Sequence, residues 1–209
     1  MSLIKLNQVS KTFQDEEDSI QLLENINLSI EEDSINVIVG YSGSGKTTLL
    51  NIINGIEPIS SGFIDKIDNL TIGYVTQQPS FIDELSVDKN LRFVASKMNN
   101  KDKIYSLMDK FNCSHLLKKK PYQLSGGEKQ RINIIRGLLL NPNVLILDEP
   151  TASLDHDNKY NLINFIDEIQ KNLKISIIMV THDIEVISNF HKRKVFSIKN
   201  KSIEENFLL

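Results

Sequence analysis

Ile35-Asn36-Val37-Ile38-Val39-Gly40-Tyr41-Ser42-Gly43-Ser44-Gly45-Lys46-Thr47-Thr48-Leu49-Leu50 is the stretch that decides the fold class. Ile35 to Val39 is mostly apolar and β-branched, the pattern of a strand buried on both faces. From Lys46 to Asn54, Leu49, Leu50, Ile52 and Ile53 recur on a helical period. Between strand and helix, Gly40 to Thr47 fits glycine, four residues, Gly-Lys-Ser/Thr, the spacing of a loop that cradles phosphates. The glycines let the backbone close into a tight anion-binding nest. The helix that starts there aims unpaired N–H groups and its positive dipole end at the anion. Lys46 is expected to reach the β- and γ-phosphates of a nucleotide, and the Thr47 hydroxyl to ligate Mg²⁺. Thr48 completes the expected nucleotide-binding run.

Outward from this stretch, the chain alternates strands and helices. Glu24 to Ile30 alternates apolar and polar residues, as a half-buried strand does. Val144 to Leu147 and Ile175 to Val180 read as two more buried strands, and Leu162, Ile166 and Ile169 between them mark an amphipathic helix. Such alternation predicts a mostly parallel sheet with crossover helices. From about Ser86 to Leu140 the patterns are helical, with no convincing strand. The expected organisation of residues 1–209 is one α/β domain. About 1–85 and 141–209 form a β-rich part and the α/β core, and about 86–140 a helical insertion.

Asp148 and Glu149 follow the strand Val144 to Leu147 directly. Active groups of open α/β sheets sit at the carboxyl ends of strands. Asp148 is expected to hold Mg²⁺, directly or through water, and Glu149 to polarise a water for attack on the γ-phosphate.

Bulk properties exclude several classes. The 209 residues carry a net charge of −3, which gives no electrostatic footprint for nucleic acid. The single cysteine, Cys113, is expected to be a buried apolar residue in an intracellular chain. The Met1–Ser10 stretch lacks the hydrophobic run of a signal peptide, and nothing approaches the roughly 20 apolar residues that span a bilayer. Work on a membrane would need another chain to supply the pore. The Asp15–Asp18 and Lys118–Lys120 charge runs are expected to be solvated loop surface. Abundant Lys, Asn and Ile suggest a bacterial source.

Leu124-Ser125-Gly126-Gly127-Glu128-Lys129-Gln130-Arg131, lying between the phosphate loop and the acid pair, resembles the signature motif of the ATP-binding-cassette (ABC) ATPases. Ser125-Gly126-Gly127 also opens a helix, so its N–H groups form a second anion site. The resemblance covers nearly the whole chain and implies a P-loop core with an N-terminal antiparallel β subdomain and an inserted helical subdomain. It also implies a head-to-tail dimer in which each ATP lies between one subunit's phosphate loop and the other's signature.

By the same resemblance Gln77, with Gln78 the adjacent alternative, corresponds to the Q-loop glutamine that senses Mg²⁺ and the attacking water. His182 corresponds to the switch histidine at the γ-phosphate, and Asp155 belongs to the D-loop that couples the two sites. Phe13 corresponds to the aromatic that stacks on adenine, or else is a core residue. The implied activity is ATP hydrolysis driving transport through separate integral membrane permease subunits. A second copy of the chain and the cytoplasmic face of the membrane complete the expectation.

A soluble cassette acting on translation or DNA would carry two cassettes or long coiled coils, and an inactive cassette would lack Glu149 or His182. Within the transporters, the gap between Phe13 and Leu22 resembles exporters of the lipoprotein-release and macrolide- or peptide-efflux group. The short Gly62–Gln77 stretch resembles metal or sulfonate importers. Glu31-Glu32-Asp33-Ser34 lacks the glycine usual before the phosphate-loop strand.

Overall fold

The structure is a computed structural model describing residues 1–14, 18–96, 101–183, 187, 190 and 193–206. Strands β1 (Ser2–Gln14), β2 (Ser19–Glu31) and β3 (Ile35–Val39) lead into helix α1 (Lys46–Asn54). Strands β4 (Ser61–Lys66) and β5 (Ile72–Val75) precede helices α2 (Val87–Ala95), α3 (Asp102–Lys110) and α4 (Gly126–Leu138). Strand β6 (Val144–Asp148), helix α5 (His156–Leu173) and strands β7 (Ser176–Thr181), β8 (Lys194–Lys199) and β9 (Ser202–Asn206) complete the order.

Two sheets result. β2-β1-β4 is antiparallel throughout. The other sheet runs β5-β6-β7-β3-β8-β9, parallel except for β9, which pairs antiparallel with β8. All residues of β3, β6 and β7 are buried, as their unbroken apolar runs require. Side chains alternate across this sheet into two cores. Ile35, Val37, Leu145 and Leu147 pack on the side of α4 and α5. Ile38, Val144 and Ile146 pack with Leu49, Leu50, Ile52 and Ile53 of α1 and with the apolar face of β1 and β2. Each such side chain contributes roughly 1.5–3 kcal/mol, so a charge at Ile146 would disrupt the core directly beneath Asp148.

The Gly62–Gln77 stretch holds β4 and β5, two strands that periodicity did not reveal, because β4 is largely exposed and β5 is only four residues long. Asp33 takes the place of the missing glycine with φ 53°, a left-handed conformation that aspartate tolerates. Between α2 and β6 the described residues contain helices and 3-10 turns only. Asp15, Glu16 and Glu17 of the acidic cluster lie outside the described residues. Cys113 is buried, which pushes its thiol up to about 11. Lys119 is not idle surface: its ammonium lies 3.0 Å from Glu128 Oε1. Among the described residues no helix is long and apolar enough to cross a membrane.

Candidate active site

β6, β7 and β3 are adjacent and parallel, so their carboxyl ends bring three loops together. The Gly40–Thr47 loop leaves β3, the acid pair ends β6, and His182 follows β7. Asp148 pairs in register with Val180, and the Glu149 N–H donates to the Val180 carbonyl at 3.0 Å. Glu149 itself has φ 45°. A left-handed conformation in a non-glycine residue costs of order 1 kcal/mol, and here it occurs at the residue that follows the strand end.

The phosphate loop is shaped by glycine where no other residue fits. Gly45 has φ 95°, and a Cβ there would lie 2.9 Å from Leu23 Cδ2. Gly45 caps α1 without a side-chain hydrogen bond, so the first N–H groups of the helix are open to an anion. Lys46 is 6% exposed and folds back over the loop, donating to the carbonyls of Gly40 and Tyr41 at 2.9 Å each. Its ammonium is 3.8 Å from Glu149 Oε1, and His182 Nδ1 is 3.3 Å from Glu149 Oε2. Thr47 Oγ1 donates to Asp148 Oδ1 at 3.5 Å, and the Tyr74 hydroxyl to Asp148 Oδ2 at 3.3 Å. Burial raises the Asp148 carboxyl above its ordinary value despite these donors. Burial, then the Asp148 charge, pushes the Tyr74 hydroxyl upward.

Besides a cavity of about 550 Å³ against Tyr41, Gly43 and Ser44, two cavities border the loop around Lys46. One of about 420 Å³ is lined by Leu22, Ser42, Gly43, Gly45, Lys46, Thr47, Thr48, Gln77, Asp148 and Glu149. The other, of about 520 Å³, adds Gly40, Tyr41, His182 and Ser197–Lys199 of β8 around the same Lys46 and Glu149. Gln77 lines the first of these cavities together with Thr47 and Asp148, whereas Gln78 lines neither. Ser44 closes the turn, its N–H donating to the Tyr41 carbonyl at 3.1 Å. Phe13 lies on β1, 42% exposed, with the Lys11 ammonium 4.6 Å from its ring centre; it lines neither cavity.

The signature lies apart from both cavities. Ser125 caps α4 in a reciprocal box: its Oγ accepts from Glu128 N at 3.2 Å, and its N–H donates to Glu128 Oε2 at 2.8 Å. Ser125 and Gly126 are exposed. Gly127 is buried against α5, where a Cβ would lie 2.8 Å from Asn158 Oδ1. Asp155 is the N-cap of α5, accepting from Asn158 N at 2.9 Å, and it lines neither cavity.

Tyr74, Leu22 and the β8 residues Ser197–Lys199 carry no site signal in the sequence. Tyr74 lies three residues before Gln77, and a tyrosine there matches no motif. Leu22 and Ser197 come from β2 and β8 and join the cavities only through sheet pairing.

Residues 23–152 match the family described as ABC transporter. The chain is 31% identical over 221 residues to the lipoprotein-releasing system ATP-binding protein LolD of Buchnera aphidicola, covering 96% of each. It is 34% identical over 184 residues to the zinc import ATP-binding protein ZnuC of another Buchnera aphidicola strain, covering 88% of this chain and 76% of that one. The dimeric ATP-binding cassette MJ0796 bound to ADP and Pi superposes with a TM-score of 0.81 at 28% identity, covering 98% of both chains.

Proposed function

The chain belongs to the ABC transporter family and is one of its ATP-hydrolysing subunits, and from that premise we propose how its residues divide the work. Lys46 and the N–H groups of the Gly40–Thr48 turn bind the phosphates. Thr47 and Asp148 hold Mg²⁺, with Gln77 at its edge. Two hard oxygens already 3.5 Å apart, beside a second carboxylate, fit an ion that takes one or two protein oxygens and completes its shell from phosphates and water. That ion would neutralise charge building on the β- and γ-oxygens.

Glu149 accepts a proton from water as that water attacks the γ-phosphorus. The bond from the γ-phosphorus to the bridging oxygen breaks, giving ADP and inorganic phosphate. His182 contacts the γ-phosphate and, through Nδ1, orients Glu149. Phe13 is assigned to the adenine.

The observation that carries this assignment is that Lys46, Asp148, Glu149 and His182 converge on one loop while Ser125, Gly126 and Gly127 line neither cavity. One chain therefore holds half of each site. A second copy is proposed to supply its signature turn head to tail, with Asp155 at the seam. The relation to a cassette whose printed state is dimeric with ADP and Pi supports this.

The membrane subunits are proposed to dock beside Gln77, at Phe81, Ile82 and Leu85 on the cytoplasmic face. Ile82 is 41% exposed, and Asn90 fixes this loop by accepting from Ile82 N and donating to the carbonyls of Ile82, Leu85 and Ser86. Charged residues placed there should abolish transport and leave soluble ATPase activity unchanged. Transport that survives them would remove this surface. Export of the lipoprotein-release or efflux type is the preferred direction, on the near full-length match to LolD. Similarity to ZnuC keeps metal import as the competing assignment.

The deciding experiment is size-exclusion chromatography with light scattering on Glu149→Gln, with and without Mg²⁺-free ATP. A monomer that becomes a dimer only with ATP supports the composite site. A monomer throughout, with ATP bound, would overturn the homodimer and direct attention to a different second cassette.

A further inference from the structure

Along α4, Gln130, Asn133 and Arg136 recur every third residue, and each grips the main chain that follows β5. Gln130 Nε2 donates to the Gln77 carbonyl at 2.9 Å and Asn133 Nδ2 to the Thr76 carbonyl at 3.3 Å. Arg136 donates to the Ser80 carbonyl and, at 2.7 Å, to Asn133 Oδ1, and its guanidinium lies 5.1 Å from the Phe81 ring centre. Gln130 and Asn133 are only 2% and 1% exposed.

Burying an amide is costly unless it is partnered. Here the donors are used on a segment without sheet or helix support, since β5 ends at Val75 and no regular element begins before Val87. A side chain that holds a main-chain carbonyl fixes the tilt of that peptide plane. The two peptide planes that flank the Gln77 Cα carry the Thr76 and Gln77 carbonyls, so Asn133 and Gln130 together constrain the backbone from which the Gln77 side chain leaves at the edge of the phosphate cavity. The backbone at Gln77 is therefore held by a helix rather than by its own strand.

We propose that Gln130, supported by Asn133, is a positioning residue for Gln77, so that the helix carrying Ser125 at its N-cap also sets the reach of Gln77 into the phosphate cavity. This rests on the assignment of Gln77 to the metal and water given above.

A double-mutant cycle on ATP hydrolysis by the full chain tests it. Gln130→Met keeps length and removes the donor, and should lower kcat about tenfold while leaving KM for ATP within about twofold. Combined with Gln77→Ala, it should slow hydrolysis no further than Gln77→Ala alone. A merely structural amide would give additive losses, and additivity overturns the proposal, as does a wild-type kcat in Gln130→Met. If Gln130→Met lacks a cooperative melt, Asn133→Ala is taken through the same cycle with the same criteria. A wild-type rate in Gln77→Ala would overturn the assignment of Gln77 and this inference together. A slow Gln77→Ala beside a normal Gln130→Met would overturn the inference alone.

Discussion

His182 Nδ1 faces Glu149 Oε2 at 3.3 Å while Lys46 faces the other oxygen of the same carboxylate at 3.8 Å. Glu149 is thus held from both sides, at a strand end where its own φ is 45°. Both carboxylate oxygens are thereby oriented, which is the condition under which the proposed general base would be effective.

Glu149→Gln keeps the shape and removes the proton acceptor. Hydrolysis should fall by roughly 10²–10⁴-fold, with ATP affinity nearly unchanged. Single-turnover assays with labelled ATP check it, and a normal rate would remove Glu149 from the base role.

Lys46→Ala removes the ammonium now resting on the Gly40 and Tyr41 carbonyls. Loss of a charged hydrogen bond costs about 1.5–3 kcal/mol, so affinity for ATP should weaken roughly 10- to 100-fold. Titration with a fluorescent ATP analogue reads this directly.

Ser125→Arg places a bulky cation on the exposed N-cap of α4, which lines neither cavity around Lys46. Nucleotide binding by the monomer should stay within about twofold, and the ATP-dependent dimer should vanish in sedimentation. Persistence of that dimer would show that the signature is not the second half of the site.

Glu128 links the cap to Lys119. Burial raises its carboxyl, but the Ser125 N–H and the Lys119 ammonium outweigh that and hold it below its ordinary 4.5. A lowered folded-state value means the contribution is present above pH 4.5 and is lost as pH falls through the lowered value. Glu128→Ala should cost about 1 kcal/mol and lower Tm by about 2–4 °C at pH 7. The difference from wild type should shrink at pH 3, and calorimetry at both values tests the sign.

The chemistry of the site was legible because each part is a local event. The phosphate loop needs a buried strand, glycines and a helix start within a few residues, and Ile35–Asn54 contains all three. The acid pair and His182 each follow an apolar run that has no other place than a sheet interior. Tyr74, Asn90 and Gln130 were not legible as partners, since a hydroxyl or amide has no periodicity that says which carbonyl it will meet.

By itself the sequence determined the strand–loop–helix unit, the acid pair at a strand end and the glycine turn that opens a helix at Ser125, because short-range pattern and backbone geometry suffice for each, while the roles expected of Gln77, His182 and the signature came from the family resemblance. Only the tertiary structure decided that Gln77 rather than Gln78 lines a cavity with Thr47 and Asp148, that β4 and β5 occupy the short Gly62–Gln77 stretch, and that the signature lines neither cavity of its own chain. Those outcomes depend on which strands lie side by side and which buried amides find a carbonyl, and such non-local pairings are fixed only when the whole chain packs.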